Sequence, residues 1–228
     1  PIAYLLKSMF TDEPVLYIGI IDSDVDLMWN DVQVGTPRMS GHWNRKEGEV
    51  LSLFTYTNAD EVELFVNKVS QGRKKNLPGR ARNKIRWDKI PYEAGYVEAV
   101  AYKDGKAVKT YRVTTTGKAK KLVAQPDNSM WKADGMDLQH VRIVAVDAKG
   151  HRVHAANSAL RFRVEGDARI VAVDNGNIVS DELHAVESRK LFHGSALVIL
   201  RAGRNVGEVT LIVESDDFKP IRTRLRLH

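Results

Sequence analysis

Acidic side chains at alternate positions are the first candidates for chemistry in this chain. Asp22, Asp24 and Asp26 have the spacing with which a calcium-binding loop opens. An EF-hand loop then needs glycine at its sixth position and glutamate at its twelfth, but Leu27 and Gln33 stand there. The stretch therefore predicts an acidic surface loop, and no metal ion is expected to bind to it.

Residues for covalent or cofactor chemistry do not form a known motif. The sequence contains no GxSxG, HExxH, GxGxxG or GxxxxGK[ST] pattern. It also contains no cysteine, so disulfides and thiolate metal sites are excluded. His151 and His154 are close in sequence but lie in a predicted turn without a carboxylate cluster, which favours a surface role. We therefore predict no catalytic residue and no cofactor in this chain.

Tryptophans are the remaining candidates, because β-sandwiches that bind carbohydrate stack sugar rings on exposed aromatic side chains. Trp87 alternates with polar neighbours in a predicted strand and is expected in the core. Trp43, with its neighbour His42, and Trp131 are the candidates for carbohydrate contact. With Trp29, the four tryptophans are scattered along the chain. Core or interdomain packing is therefore the favoured interpretation, and a sugar-stacking platform is the alternative.

Positive charge is concentrated in one stretch of the chain. The formal net charge is +6, and eight basic residues with no acid fall between Lys68 and Arg86. Such a patch can attract nucleic acid, but this one lies in a predicted hairpin connection with no aromatic residue before Trp87. A solvated loop is favoured, and no nucleic-acid partner is predicted. No apolar run approaches the roughly 18 residues of a membrane span, so no membrane partner is predicted either.

The hydrophobic spacing changes from helical to strand-like after Pro14. Ile2, Leu5, Leu6 and Met9 fall on one face of a helix, which predicts a short amphipathic helix before that proline. Beyond it the period is two, and about seven short strands in roughly 100 residues are typical of a β-sandwich. The clearest is the stretch 61–67, where three apolar side chains alternate with two glutamates and Phe65.

A second block with the same pattern follows a linker at 114–119. Leu160, Phe162 and Val164 alternate with charged residues, and turns are predicted at 147–150 and 174–177. The fold class is therefore predicted as all-β, with two tandem immunoglobulin-like β-sandwich domains and a short N-terminal helix. The predicted segments are residues 1–14 before the first sandwich, a β-sandwich at 15–117 and an Ig-like β-sandwich at 118–228. An α/β barrel, which needs about 250 residues, is not expected here.

Several short motifs follow one another in a fixed order along the chain. They are residues 4–10, 14–18, 42–44, 56–67, 87–95, 114–119, 133–138, 146–150, 173–177 and 192–194. The ordered set resembles the region just after the catalytic barrel in bacterial glycoside hydrolase family 2 enzymes of the β-galactosidase type. The chain departs from that pattern at Lys68, where the family often has glycine after asparagine, and in the long stretch 19–40.

The resemblance implies that the catalytic glutamates lie on a barrel that would precede Pro1, so they are carried onto no residue here. Residues 1–14 would then be the end of that barrel, and the sandwiches would be non-catalytic accessory domains. The implied partners are the barrel of the same parent chain, a second subunit and carbohydrate. A carbohydrate-binding module and a cell-surface Ig-like array are the alternative functions. The parent is expected in the periplasm or outside a bacterial cell.

Overall fold

The computed structural model describes residues 2–23, 28–29, 32–33, 37–79 and 82–228. These residues contain one helix and eighteen strands. They divide into two compact units, Pro1–Thr115 and Thr116–His228. Within the described sheets every strand pair is antiparallel, and each unit carries two four-stranded sheets. The predicted all-β class with tandem β-sandwiches is confirmed.

The first unit has sheets in the orders β4-β1-β5-β8 and β10-β9-β6-β7, and β2 and β3 form a two-stranded sheet. Its elements are α1 (Ile2–Phe10), β1 (Leu16–Ser23), β2 (Met28–Trp29), β3 (Val32–Gln33), β4 (Arg38–Ser40), β5 (Val50–Thr57), β6 (Glu61–Val66), β7 (Val69–Lys75), β8 (Lys84–Pro91), β9 (Tyr96–Lys103) and β10 (Lys106–Thr114).

The core of this unit follows the alternation of the sequence. Val62, Leu64 and Val66 of β6 are buried, because one side of the strand faces the opposite sheet. Trp87 of β8 packs into the same core, as expected. β5 lies between β1 and β8, and most of its residues are buried on both faces of the strand.

The basic stretch does not fold as the predicted loop. β7 and β8 occupy much of it, and each is an edge strand of a different sheet. The residues of β7 are exposed or half-buried on both sides, so no hydrophobic alternation marks the strand in the sequence. Charged side chains are tolerated there, and they also discourage pairing with another chain. The prediction of a solvated loop is therefore wrong for β7.

A tight turn joins β6 to β7 at the position where the sequence departs from the family pattern. Asn67 and Lys68 have φ angles of 46° and 73°, which is the left-handed region used by two-residue hairpin turns. The Asn67 side chain is held at both ends: its Oδ1 accepts from Tyr96 N at 2.9 Å and its Nδ2 donates to Ala94 O at 3.0 Å. Lys68 therefore occupies a conformation that glycine adopts without steric cost.

The second unit has sheets in the orders β11-β12-β16-β14 and β15-β13-β17-β18. Leu160 and Phe162 point into its core, whereas Arg161 and Arg163 point out, as the alternation predicts. Its elements are β11 (Lys121–Pro126), β12 (Leu138–Val146), β13 (Ala159–Glu165), β14 (Ala168–Asp174), β15 (Ser188–Lys190), β16 (Ser195–Ala202), β17 (Gly207–Glu214) and β18 (Ile221–Leu227).

Replacing Lys68 by glycine should stabilise the first unit. The left-handed conformation costs a side-chain-bearing residue about 1–2 kcal/mol, and glycine removes this cost. Glycine also raises the conformational entropy of the unfolded chain, which offsets about 0.4–1 kcal/mol of the gain. A net gain of about 0.5 kcal/mol in the free energy of unfolding is expected, measured by urea denaturation. Thr110→Gly in the middle of β10 is the control and should lower stability. A Lys68→Gly variant less stable than the parent chain would contradict the assignment.

Candidate functional site

Trp43 lies in the core of the first unit and has no solvent exposure (0%). Its Nε1 donates to Glu93 O at 3.1 Å, and its ring packs tilted against Tyr92 with centroids 5.3 Å apart. The Thr115 hydroxyl lies 3.5 Å from the Trp43 carbonyl oxygen. Sugar stacking needs a ring face open to solvent, and Trp43 has none.

Trp131 is equally enclosed in the second unit, with 1% exposure. Its Nε1 donates to Asp137 O at 3.2 Å, and its carbonyl accepts from His228 N at 2.9 Å next to the bridge with Leu227. Trp131 therefore holds the end of the last strand. Core packing, the interpretation favoured for Trp43 and Trp131, explains both, whereas a sugar platform built on them lacks an exposed ring.

His42 belongs to a polar cluster centred on Arg45. Arg45 Nη1 lies 2.9 Å from His42 Nδ1, and Nη2 donates to Ser40 Oγ at 2.9 Å and pairs with the Asp22 carboxylate. The Arg45 side chain is only 10% exposed, so one guanidinium links the ends of β1 and β4 to the segment that follows. This arrangement is that of a structural cross-link. Asp24 lies outside the described residues, as does the rest of the acidic loop through Leu27.

The His151 region is a capped turn. Burial alone would raise the pKa of Asp147, but the backbone N–H groups of Gly117, His151 and Lys149 donate to its carboxylate and hold the pKa below its usual value. The predicted turn after β12 is thereby confirmed. In the part of the chain that the structure describes, no three His, Asp or Glu side chains converge as metal ligands.

An aromatic cluster that sequence reasoning missed lies on the face of sheet β4-β1-β5-β8 opposite the core. Tyr17 stacks on Tyr4 of α1 with centroids 4.3 Å apart, and Phe54 and Tyr56 of β5 continue the cluster. Burial raises the pKa of Tyr111, which packs against Tyr17. The apolar residues on both sides of β5 were the available signal, since an outward-facing aromatic row needs a cover.

Helix α1 supplies part of that cover and leaves an apolar face open. Leu5 packs toward the cluster, and buried Ser8 accepts at its carbonyl from Asn83 Nδ2 at 2.8 Å. The predicted helix is confirmed, but Leu5 does not share the orientation of the other apolar residues. Those form one exposed face, here called the α1 stripe: Ile2 (59%), Leu6 (51%), Met9 (44%) and Phe10 (84%).

A second exposed apolar group lies in the second unit, between β14 and β15. Ile178, Val179 and Leu183 are 98%, 84% and 72% exposed. The loop that carries them is tied down by Arg189, whose buried guanidinium donates to Glu182 O at 2.8 Å. The apolar side chains thus project from a fixed base.

Comparison with known proteins agrees with these observations. Residues 122–224 match the glycoside hydrolase family 2 C-terminal domain 5, and residues 48–109 match a domain of unknown function. A solved family 2 glycosyl hydrolase from Bacteroides cellulosilyticus superposes with a TM-score of 0.89 at 30% identity, covering 100% of this chain and 30% of that one.

Two curated relatives extend the comparison. A β-galactosidase of Bacteroides ovatus is 36% identical over 89% of this chain and 24% of its own length. A putative β-glucuronidase of Formosa agariphila is 32% identical over 87% of this chain and 18% of its own length. The chain thus spans about a quarter or less of the length of these relatives.

Two antiparallel β-sandwiches in tandem define the structural class of the chain. With the domain match and the overall superposition, the chain belongs to glycoside hydrolase family 2, in the C-terminal region of its β-galactosidase-like and β-glucuronidase-like enzymes. No helix in the described residues is long and apolar enough to span a membrane.

Substitutions of Trp43 separate a packing role from a sugar contact. Trp43→Ala should lower the free energy of unfolding by about 3–5 kcal/mol, since a large buried side chain is removed. Trp43→Phe keeps most of the ring but loses the hydrogen bond to Glu93, so a loss of about 1–2 kcal/mol is expected. Denaturant unfolding measures both. A Trp43→Phe variant with unchanged stability and reduced retardation on galactan gels would instead support carbohydrate contact.

Proposed function

We propose that this chain is a non-catalytic scaffold of a β-galactosidase-like family 2 glycosidase, in which it supports the catalytic barrel and supplies subunit contacts. The observation that carries the proposal is the α1 stripe, four apolar side chains that are exposed on a helix fixed to the first sandwich. Single exposed apolar residues are ordinary on protein surfaces, whereas a contiguous group marks an interaction surface.

The helix is held in place by the sandwich and not by its own stability. Nine residues form a marginal helix in isolation. The stacking of Tyr4 on Tyr17 and the hydrogen bond from Asn83 to the Ser8 carbonyl fix its position. A docking surface that is already ordered loses little entropy on binding. Full burial of one exposed apolar side chain contributes about 1.5–3 kcal/mol. The four side chains of the α1 stripe are only partly exposed, so covering them would contribute roughly twice that.

The parent chain provides the natural occupant of this surface. The relatives are several times longer than this chain, and the family resemblance assigns the barrel to the part before it. We therefore assign residues 1–14 to the end of the barrel, 15–117 to the first sandwich and 118–228 to the second. The greater identity to the β-galactosidase than to the β-glucuronidase supports a galactoside as the parent's substrate.

The non-catalytic role has a direct test. The purified 228-residue chain should release no chromophore from nitrophenyl β-galactoside or β-glucuronide, because no acid/base and nucleophile pair is assigned to it. The full-length parent should hydrolyse one of the two, which also identifies its sugar. Turnover by the purified chain above the buffer rate would overturn the assignment.

The docking role predicts an effect that appears only in the full-length enzyme. Leu6→Gln combined with Phe10→Gln should leave the melting temperature of the 228-residue chain nearly unchanged, since both side chains are exposed. In the full-length parent the same pair should lower the melting temperature and shorten the half-life of activity on heating. Calorimetry and timed activity assays measure the two effects.

Val50→Gln combined with Val69→Gln is the matched control. These side chains are 64% and 63% exposed and lie on strands of the same unit, away from the α1 stripe. The control pair should affect the chain and the full-length parent equally. If the α1 pair also shifts both proteins equally, the stripe is not a docking surface.

A further inference from the structure

We propose that a basic groove between edge strands β7 and β8 binds an acidic oligosaccharide through its carboxylate or sulfate groups. The groove has a volume of about 630 Å³, within the usual range of ligand sites. Its cationic lining consists of Lys74, Lys75, Lys84 and Arg86. This inference does not depend on the scaffold role, which uses the α1 stripe, a different surface.

The positive charge of the groove is not balanced by nearby acids. In the described ranges, no carboxylate lies within ion-pairing distance of Lys74, Lys75 or Lys84. Arg86 pairs with Asp88, whose pKa is lowered by hydrogen bonds from Ser52 and from Arg86 itself. Glu61 stands opposite Lys75 across the β6–β7 pair but forms its ion pair with Arg73. The cations of the groove therefore outnumber the described carboxylates near them, so an anion entering the groove would meet a net positive potential.

The cationic groups are positioned by aromatic rings beneath them. Lys84 Nζ lies 4.1 Å from the ring centroid of Phe54, and Arg86 Cζ lies 5.6 Å from the same centroid. Lys74 Nζ lies 4.8 Å from the Trp87 ring centroid. Such contacts attract a cation to the ring face and so restrict where its charge lies. Burial and the charge of Arg86 lower the pKa of Lys84, because both disfavour its charged form. A bound anion would favour the charged form again.

The two strands of the groove belong to different sheets and are fixed to each other by amide side chains. Asn76 follows β7 and Asn83 precedes β8, and Asn83 N donates to Asn76 Oδ1 at 2.8 Å. Asn76 Nδ2 donates to Ala59 O at 2.9 Å, which anchors the pair to the turn between β5 and β6. The spacing between the lysines of β7 and the cations of β8 is therefore set by the fold.

A sugar polymer fits the groove better than a peptide strand or nucleic acid. Lys74 Nζ donates to Arg86 O at 2.8 Å, so an ammonium group already covers a carbonyl that an added strand would use, and edge lysines oppose strand addition. Phe54 is buried beneath its two cations, so no ring face is open for base stacking. Leu77, 58% exposed, offers an apolar rim for the C–H face of a sugar.

Affinity electrophoresis and calorimetry of the purified chain test the proposal with three polymers. Polygalacturonate supplies carboxylates, dextran sulfate supplies sulfates, and neutral galactan supplies neither. We expect at least one anionic polymer to bind and the neutral one not to bind. Lys75→Gln combined with Lys84→Gln should weaken that binding roughly tenfold without a change of fold by circular dichroism. The stronger anionic polymer identifies the preferred group.

Lys106→Gln combined with Lys109→Gln is the charge-matched control, because both lysines lie on β10 at the edge of its sheet farthest from β7. The control should bind the anionic polymer within twofold of the parent chain. The proposal is overturned if neither anionic polymer binds, if the control weakens binding as much as the groove variant, or if polyglutamate displaces the bound polymer at equal concentration of anionic groups. These outcomes leave the scaffold role untouched.

Discussion

The amide pair formed by Asn76 and Asn83 is the contact on which both surfaces of the first unit depend. Asn83 is almost fully buried and has a left-handed backbone with φ of 62°. Its backbone N–H binds Asn76, and its side-chain amide binds the Ser8 carbonyl of α1. One buried residue thereby sets the distance between two sheet edges and fixes the helix that crosses the outer aromatic cluster. Burial of these amides is tolerable because each has its partners.

The two surfaces fixed by this pair differ in physical character. The α1 stripe is apolar and suits a permanent contact, since hydrophobic burial is non-directional and is not weakened by the screening of charges. The groove between β7 and β8 is cationic and suits a reversible contact, since its attraction to anions weakens as salt screens it. The two proposals thus assign to the first sandwich a permanent contact on one face and a reversible contact with an acidic polymer on another.

The sequence predicts those strands in which one face is buried and the other is exposed to solvent. β6 and β13 show that alternation and were predicted correctly, and the ordered motifs led to the family. β7 was missed because both of its faces are largely exposed to solvent, so its sequence has no alternation of apolar and polar residues. Core packing was the favoured interpretation for Trp43 and Trp131, but the alternative of sugar contact stayed open, because flanking glycine and polar residues look the same around a buried indole and an exposed one. Leu5 of α1 packs against the aromatic cluster, whereas Leu6 is exposed. The sequence of the helix alone could not predict this difference, because the cluster is formed by distant strands.

The turn at Asn67 and Lys68 has a consequence for the chemical lifetime of the protein. Asparagine followed by glycine cyclises readily to a succinimide, because the unhindered backbone nitrogen can attack the side-chain amide. Here lysine follows, and both ends of the Asn67 amide are engaged by Tyr96 and Ala94. The hairpin therefore has a small conformational cost at Lys68, and its asparagine is protected from deamidation.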